Sequence, residues 1–284
     1  MISAALVSEG GAFRGLYAGG VMDSLLKHEL YCETTGGVSA GALCASNYVS
    51  RQYRRTLTLN RLYRGDSRYV GRQALHNSGA LIDVGFIFSE EVQKKCPFDK
   101  EQFYHGGQRL YIVATDCRTG MPTYFSKEDY PLQEMLRAST AMPFVMPMAA
   151  VGDGLYLDGG LTDYNPALWA LKQGYEKVVV VASRPLTYRK KEKSFGKQLL
   201  EWQKYRQFPH LMKALEENED QYNRTRRVLQ QLEAEGKIFV LQPSDPSLSV
   251  SRLERDIEKL TDWYLLGERD TDDRIDALKR YLEI

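Results

Sequence analysis

Short apolar runs alternate with longer amphipathic stretches through the first half of the chain, and each change of period marks an element. Ile2 to Ser8 is a continuous apolar run stopped by Glu9-Gly10-Gly11, which predicts a buried strand. Leu16 to His28 follows with Val21, Leu25 and Leu26 on one helical face. Tyr31 to Val38 reads as a second strand and Ala40 to Tyr53 as a second helix. Strand, glycine turn, helix, repeated, is the rhythm of an α/β protein with a parallel sheet. Arg109 to Thr115 and Pro122 to Ser126 flank a turn containing Asp116 and Gly120, as a hairpin would. Leu155 to Leu157 is a brief strand running into Asp158-Gly159-Gly160. Lys177 to Ser183 holds four consecutive valines and suits a central strand covered on both faces.

Beyond Arg184 the texture changes to long, charged helices. Pro209 can open one of them and Gly236 can close it, with Lys237 to Leu241 as one more strand. The expectation is one α/β domain with a mainly parallel central sheet. Residues 1–184 form its core and residues 185–284 a mostly helical C-terminal extension that adds one strand.

Composition narrows the class. Hydrophobic residues at 43% and charged residues at 26% exclude a disordered or collagenous chain. A net charge of +1 provides no global field for nucleic acid, so none is expected as a partner. The N-terminus lacks the basic and apolar blocks of a signal peptide, and no run of about 18 apolar residues occurs. The four cysteines (Cys32, Cys44, Cys96, Cys117) are scattered without a C-x-x-C pair, which argues against a zinc site or a disulfide framework and for a cytoplasmic protein.

Three motifs carry candidate chemistry. The first is Glu9-Gly10-Gly11-Ala12-Phe13-Arg14-Gly15, between a strand and a helix. Such a loop brings backbone N–H groups and a helix N-terminus to an anion. A phosphate-binding P-loop is excluded, because Leu16-Tyr17 stand where Lys and Ser or Thr would be needed. A dinucleotide-binding turn remains open, with Glu33 at about the right distance for a ribose-binding acid, and so does a plain turn. The second motif is Gly37-Val38-Ser39-Ala40-Gly41, a G-x-S-x-G at a strand-to-helix turn, where a nucleophilic serine can be exposed to a carbonyl. The third is Asp158-Gly159-Gly160, a base candidate after a strand.

Taken together, serine attack on an ester needs a nucleophile, a proton acceptor and donors for the oxyanion. Ser39 supplies the nucleophile. Ser39–Asp158–His210 is a formal triad, whereas a Ser39–Asp158 dyad uses only residues already in motif positions. Aspartate is a weak base near pKa 3.9, and burial would raise it.

The three motifs in this order resemble the signature of patatin-like phospholipases. Ala138-Ser139-Thr140-Ala141-Met142-Pro143 and Asp163-Tyr164-Asn165-Pro166 are similar to the family as well, and the likeness covers about residues 2 to 183. The resemblance implies a three-layer α/β/α fold and a lipid acyl hydrolase working through an acyl-enzyme, without cofactor or metal. It implies Ser39 as nucleophile, Asp158 as base and the amides of Gly10, Gly11 and Ala12 as oxyanion hole. Gly15, Gly37, Gly41, Gly159 and Gly160 support these, and Arg14 orients the loop or supports the anion, unless it merely pairs with Glu9. The family often has a third glycine where this chain has Ala12, and alanine resists the positive φ such a loop favours.

The expected substrate is a phospholipid or simpler fatty-acyl ester. Two stretches bear on membrane contact: Arg51 to Arg72, with seven arginines and one acid, and Arg184 to Lys213, with nine basic and two acidic residues. In the second, Phe195, Leu199, Trp202 and Tyr205 recur at helical spacing. Such a helix either rests on an anionic bilayer or packs its apolar face on the domain. A non-catalytic lipid-binding protein and a nucleotide-binding oxidoreductase are the competing classes.

Overall fold

The computed structural model describes residues 1–284. In chain order, β1 (Ile2–Ser8) leads through a 3₁₀ turn at Ala12–Gly15 into α1 (Leu16–Lys27), and β2 (Cys32–Val38) leads directly into α2 (Ala40–Val49). Four short helices follow: α3 (Arg55–Tyr63), α4 (Arg72–Ser78), α5 (Glu90–Lys95) and α6 (Lys100–His105). Then come β3 (Arg109–Asp116), β4 (Pro122–Ser126), α7 (Leu132–Thr140), β5 (Ala149–Val151), β6 (Gly154–Asp158), α8 (Ala167–Lys172) and β7 (Val178–Val181). The last part holds α9 (Phe195–Tyr205), α10 (Pro209–Ala234), β8 (Phe239–Leu241) and α11 (Ile257–Leu282).

One eight-stranded sheet runs β5-β6-β3-β2-β1-β7-β8, with β4 also paired to β3. Neighbours from β3 through β8 are parallel, and β4, β5 and β6 add antiparallel pairings at one side. Successive strand residues point to opposite faces, and the chain fills both. Ala4, Leu6, Val179, Val181, Phe239 and Leu241 join the larger core, whereas Ala5, Val7, Val178, Val180, Ile238 and Val240 join the smaller one. Residues of α1, α2, α7 and α11 contribute to the first, and Ala167, Ala170 and Leu229 of α8 and α10 to the second. The valine run is therefore central, as its composition predicts, and the architecture is helix layers on both faces of a sheet.

The C-terminal part is built into this core. β8 pairs with β7 in parallel, and α11 lies along α1. A Cβ at Gly20 would stand 2.0 Å from the Tyr264 carbonyl oxygen, and one at Gly267 2.2 Å from that of Tyr17, so only glycines allow this approach. The Tyr17 hydroxyl donates to Asp270 across the same seam at 3.0 Å. The second helix ends at Val49, earlier than its sequence suggests, because Arg51 and Arg54 take positive φ and turn the chain toward α3.

Candidate active site

The register of β3 brings two distant residues together. β2 pairs with Arg109–Val113 and ends with Val38 opposite Val113, while β6 pairs with Ala114–Asp116 and ends with Asp158 opposite Ala114. β4 pairs with Tyr111–Thr115 and so occupies the other edge. β2 and β6 thus meet end to end on one edge of β3, and Ser39 and Asp158 stand at the junction. Both line one cavity of about 450 Å³ together with Gly10, Gly11, Ala12 and Arg14.

Ser39 occupies a strained turn, with φ 55° and ψ −122°. For a non-glycine residue this costs on the order of 1–3 kcal/mol, and the surroundings must enforce it. The Ser39 amide donates to Ser139 Oγ at 2.8 Å, and that hydroxyl donates to the Val113 carbonyl at 2.6 Å. A Cβ on Gly37 would lie 2.5 Å from Ala42 Cα, and one on Gly41 2.6 Å from the Ser8 and Glu9 carbonyl oxygens, so both positions exclude side chains. A Cβ on Gly10 would lie 3.0 Å from that of Ser39, which sets the glycine loop against the serine. Gly15 packs as closely on Ala40, and Gly159 on the Val113 carbonyl.

In that loop the amides of Glu9, Phe13 and Arg14 are engaged by carbonyls, but those of Gly10, Gly11 and Ala12 donate to no protein acceptor. Ala12 adopts φ 51° despite its methyl group, so the glycine-like conformation survives the substitution. Glu9 does not pair with Arg14. Its carboxylate receives Arg226 of α10 in two contacts at 2.8 and 2.9 Å and the Ser183 hydroxyl at 2.9 Å, with both charged side chains buried. Arg14 is itself buried and has no carboxylate partner, with an unbonded Nε. The glycine loop is thus clamped from the C-terminal extension.

Asp158 is 7% exposed. Burial raises its pKa above the ordinary carboxylate range, partly offset by the neighbouring Ser39 side chain and by the Gly160 amide, which donates to the carboxylate at 2.8 Å. Arg252 and Lys190 add weaker stabilisation of the anion. Lys190 donates to Asn218 at 3.0 Å, and burial pulls its pKa down to about 8. A smaller, mainly apolar cavity of about 70 Å³ opens on the other side of Ser39, walled by Phe13, Leu16, Leu43, Tyr69, Ile82 and Val84. Ser39 and Ala12 border both cavities; Asp158 borders only the larger, more polar one.

Other candidates lie elsewhere. His210 is exposed at the start of α10 and does not border the site, so the triad reading fails. Glu33 is ion-paired with Arg109. No group of three or more His, Cys, Asp or Glu side chains is gathered that could hold a metal ion. Four of the seven arginines of the first stretch are engaged within the chain: Arg54 pairs with Glu268, Arg55 bonds Asn47 and the Pro97 carbonyl, Arg64 the carbonyls of Leu253 and Glu254, and Arg68 pairs with Asp66 and Glu91. Sequence reasoning met Glu9 at the head of the first motif and Ser139 in a segment of small residues without assigning either its contact, and Arg226 gave no local signal.

The α/β sheet thus delivers a serine at a strained strand-to-helix turn into one cavity with a buried carboxylate and free amides, an arrangement open to nucleophilic serine chemistry. The Patatin-like phospholipase family model matches residues 6–171, and a second model, a domain of unknown function (DUF6363), matches residues 208–283. The chain belongs to the patatin-like phospholipase family. It is similar to the uncharacterized protein YjjU of Escherichia coli (strain K12), 26% identical over 274 residues that cover 93% of this chain and 74% of YjjU. It is also similar to the probable lipid hydrolase 463L of Invertebrate iridescent virus 6, 28% identical over 61% of this chain and 64% of that protein. Among solved structures, VipD from Legionella pneumophila aligns with a TM-score of 0.47 and 12% identity over 96% of this chain and 66% of its own.

Proposed function

We propose that the protein is a serine lipid acyl hydrolase that cleaves a fatty-acyl ester through a Ser39–Asp158 dyad. The observation that carries this reading is the end-to-end meeting of β2 and β6 on β3, which sets the two residues in one cavity. Ser39 Oγ attacks the acyl carbon as Asp158 takes its proton, and the amides of Gly10, Gly11 and Ala12 hold the oxyanion. Asp158 then returns the proton to the leaving alkoxide. Water repeats the sequence on the acyl-enzyme to release the fatty acid and restore the serine. A base with a raised pKa is the better proton acceptor for this work near neutral pH.

The two cavities divide the substrate. Asp158 must protonate the leaving alcohol, and it borders only the more polar cavity, so the alcohol lies there and the acyl chain takes the apolar side. Lys190 and Arg252 have no carboxylate partner in that cavity and favour a leaving group carrying negative charge, such as the phosphate of a phospholipid. Labelling with a fluorophosphonate followed by peptide mapping is the test. An adduct on Ser39, absent in Ser39→Ala and accompanied by loss of ester turnover, is the expected result. Undiminished turnover by folded Ser39→Ala would refute the nucleophile assignment, and a lipid-binding protein without chemistry would leave the probe unreacted.

A further inference from the structure

Helix α9 is amphipathic in the reverse sense to an ordinary surface helix. Phe195, Leu199 and Trp202, spaced to form one stripe, are 78%, 45% and 49% exposed, with Leu200 beside them at 55%. Tyr205 packs inward, but the other buried residue of the helix is a charged one, Glu201, at 3%. Glu201 is held by Lys193 at 3.0 Å, and Lys193 also reaches Glu219 of α10 at 3.5 Å. The helix is therefore pinned by its polar side and turns large apolar residues toward water, the opposite of what burial alone would select.

We propose that α9 docks on the surface of an anionic lipid bilayer and seats the mouth of the larger cavity on the membrane. The inner side of the helix, at Lys197 and Glu201, lines that cavity, and its rim continues in Phe144 and Tyr188, 45% and 37% exposed. The Arg206 guanidinium stacks on Trp202 of the stripe at 5.0 Å, and the exposed cations Lys191, Lys197 and Lys204 lie along the cavity side of the helix, Lys204 over the Phe144 ring at 5.0 Å. Aromatic residues set among cations match the boundary between acyl chains and anionic head groups. A second copy of the chain is a poorer occupant, because a two-fold contact lays the patch against itself and would bring these cations face to face. Docking itself stands apart from the acyl hydrolase reading; only the turnover of vesicle lipid rests on it.

The test uses the full chain with vesicles of phosphatidylglycerol and phosphatidylcholine, against phosphatidylcholine alone. Of three tryptophans, Trp263 is fully buried and Trp169 is stacked on Tyr124, so Trp202 reports on this face. Its emission should shift to the blue and the protein should sediment with the anionic vesicles. The Phe195→Asp/Leu199→Asp variant should bind them about tenfold or more weaker, the loss matching the burial of one or two large apolar side chains. Its turnover of a water-soluble short-chain ester should equal that of the unmodified protein, which shows that fold and chemistry are intact. Unchanged emission, equal sedimentation of the variant, or a dimer that the variant dissociates in light scattering would each overturn the proposal. If neither protein cleaves the soluble ester, the catalytic reading fails while the binding result still decides the docking.

Discussion

Replacing Arg226 by Met would strip the cation from a pair that has no water to fall back on. The Arg226 and Glu9 side chains are 0% and 3% exposed, and the guanidinium also bonds the carbonyls of Arg184 and Pro185 at 2.8 and 2.9 Å. Breaking a buried pair on one side costs about 3–5 kcal/mol. A chain of 284 residues unfolds with an entropy of roughly 600 cal/mol/K, so Tm should fall by about 5–8 °C. Glu9 is the residue before Gly10, so the glycine loop should loosen and ester turnover should fall with stability. Thermal unfolding followed by circular dichroism, with turnover measured well below Tm, reads both effects. The Glu9→Gln/Arg226→Met double variant leaves no charge buried alone and should recover a large part of the lost stability. If Arg226→Met melts within about 2 °C of the unmodified protein and turns over normally, the clamp does not hold the loop and the reasoning is wrong.

Further outcomes follow from the buried titratable groups. Asp158 has a raised pKa in the folded state, so its folding contribution is complete at low pH and is lost as pH rises through that pKa. Asp158→Asn should therefore be inactive yet melt above the unmodified protein at pH 8, with the gap closing toward pH 4. For the same reason, the acid limb of kcat/KM should lie above the usual carboxylate range. Asp23, buried beside Tyr264, is pushed up to about 7. Asp23→Asn should gain stability on the order of a few kcal/mol above that pH and little below pH 4 in paired urea titrations. Lys190→Met should lower kcat/KM about tenfold for an ester whose leaving alcohol carries phosphate and leave a neutral ester unaffected. Because burial brings the Lys190 pKa down to about 8, the preference of the unmodified protein for the charged ester should fade above that pH.

The features that sequence alone revealed are those encoded by neighbours along the chain. The valine run of β7, the turn holding Ser39 and the strand ending at Asp158 each announce themselves within a few residues, and each stands where its pattern says. Partnerships set by the fold did not show. Glu9 finds Arg226 from the far half of the chain, so the alternative pairing of Arg14 with Glu9 falls away. The stretch from Arg55 to His105 has no strong period, because its short helices are tied by arginines to carbonyl oxygens of distant segments. That stretch nevertheless supplies Tyr69, Ile82 and Val84 to the apolar cavity, whose walls were therefore not legible in the sequence. In α9 the spacing of Phe195, Leu199 and Trp202 correctly marks an apolar stripe. Spacing reveals that a stripe exists, but the Lys193–Glu201 pair decides which way it faces.

The abutment of β2 and β6 on β3 makes a ladder rung into a measuring stick. Val113 and Ala114 are consecutive, one β-step of about 3.3 Å apart, and each sets the end of one incoming strand. Loops elsewhere between these strands can lengthen, shorten or change sequence without altering the gap between hydroxyl and carboxylate. A single residue inserted between positions 113 and 114 would separate the two groups while leaving both side chains untouched.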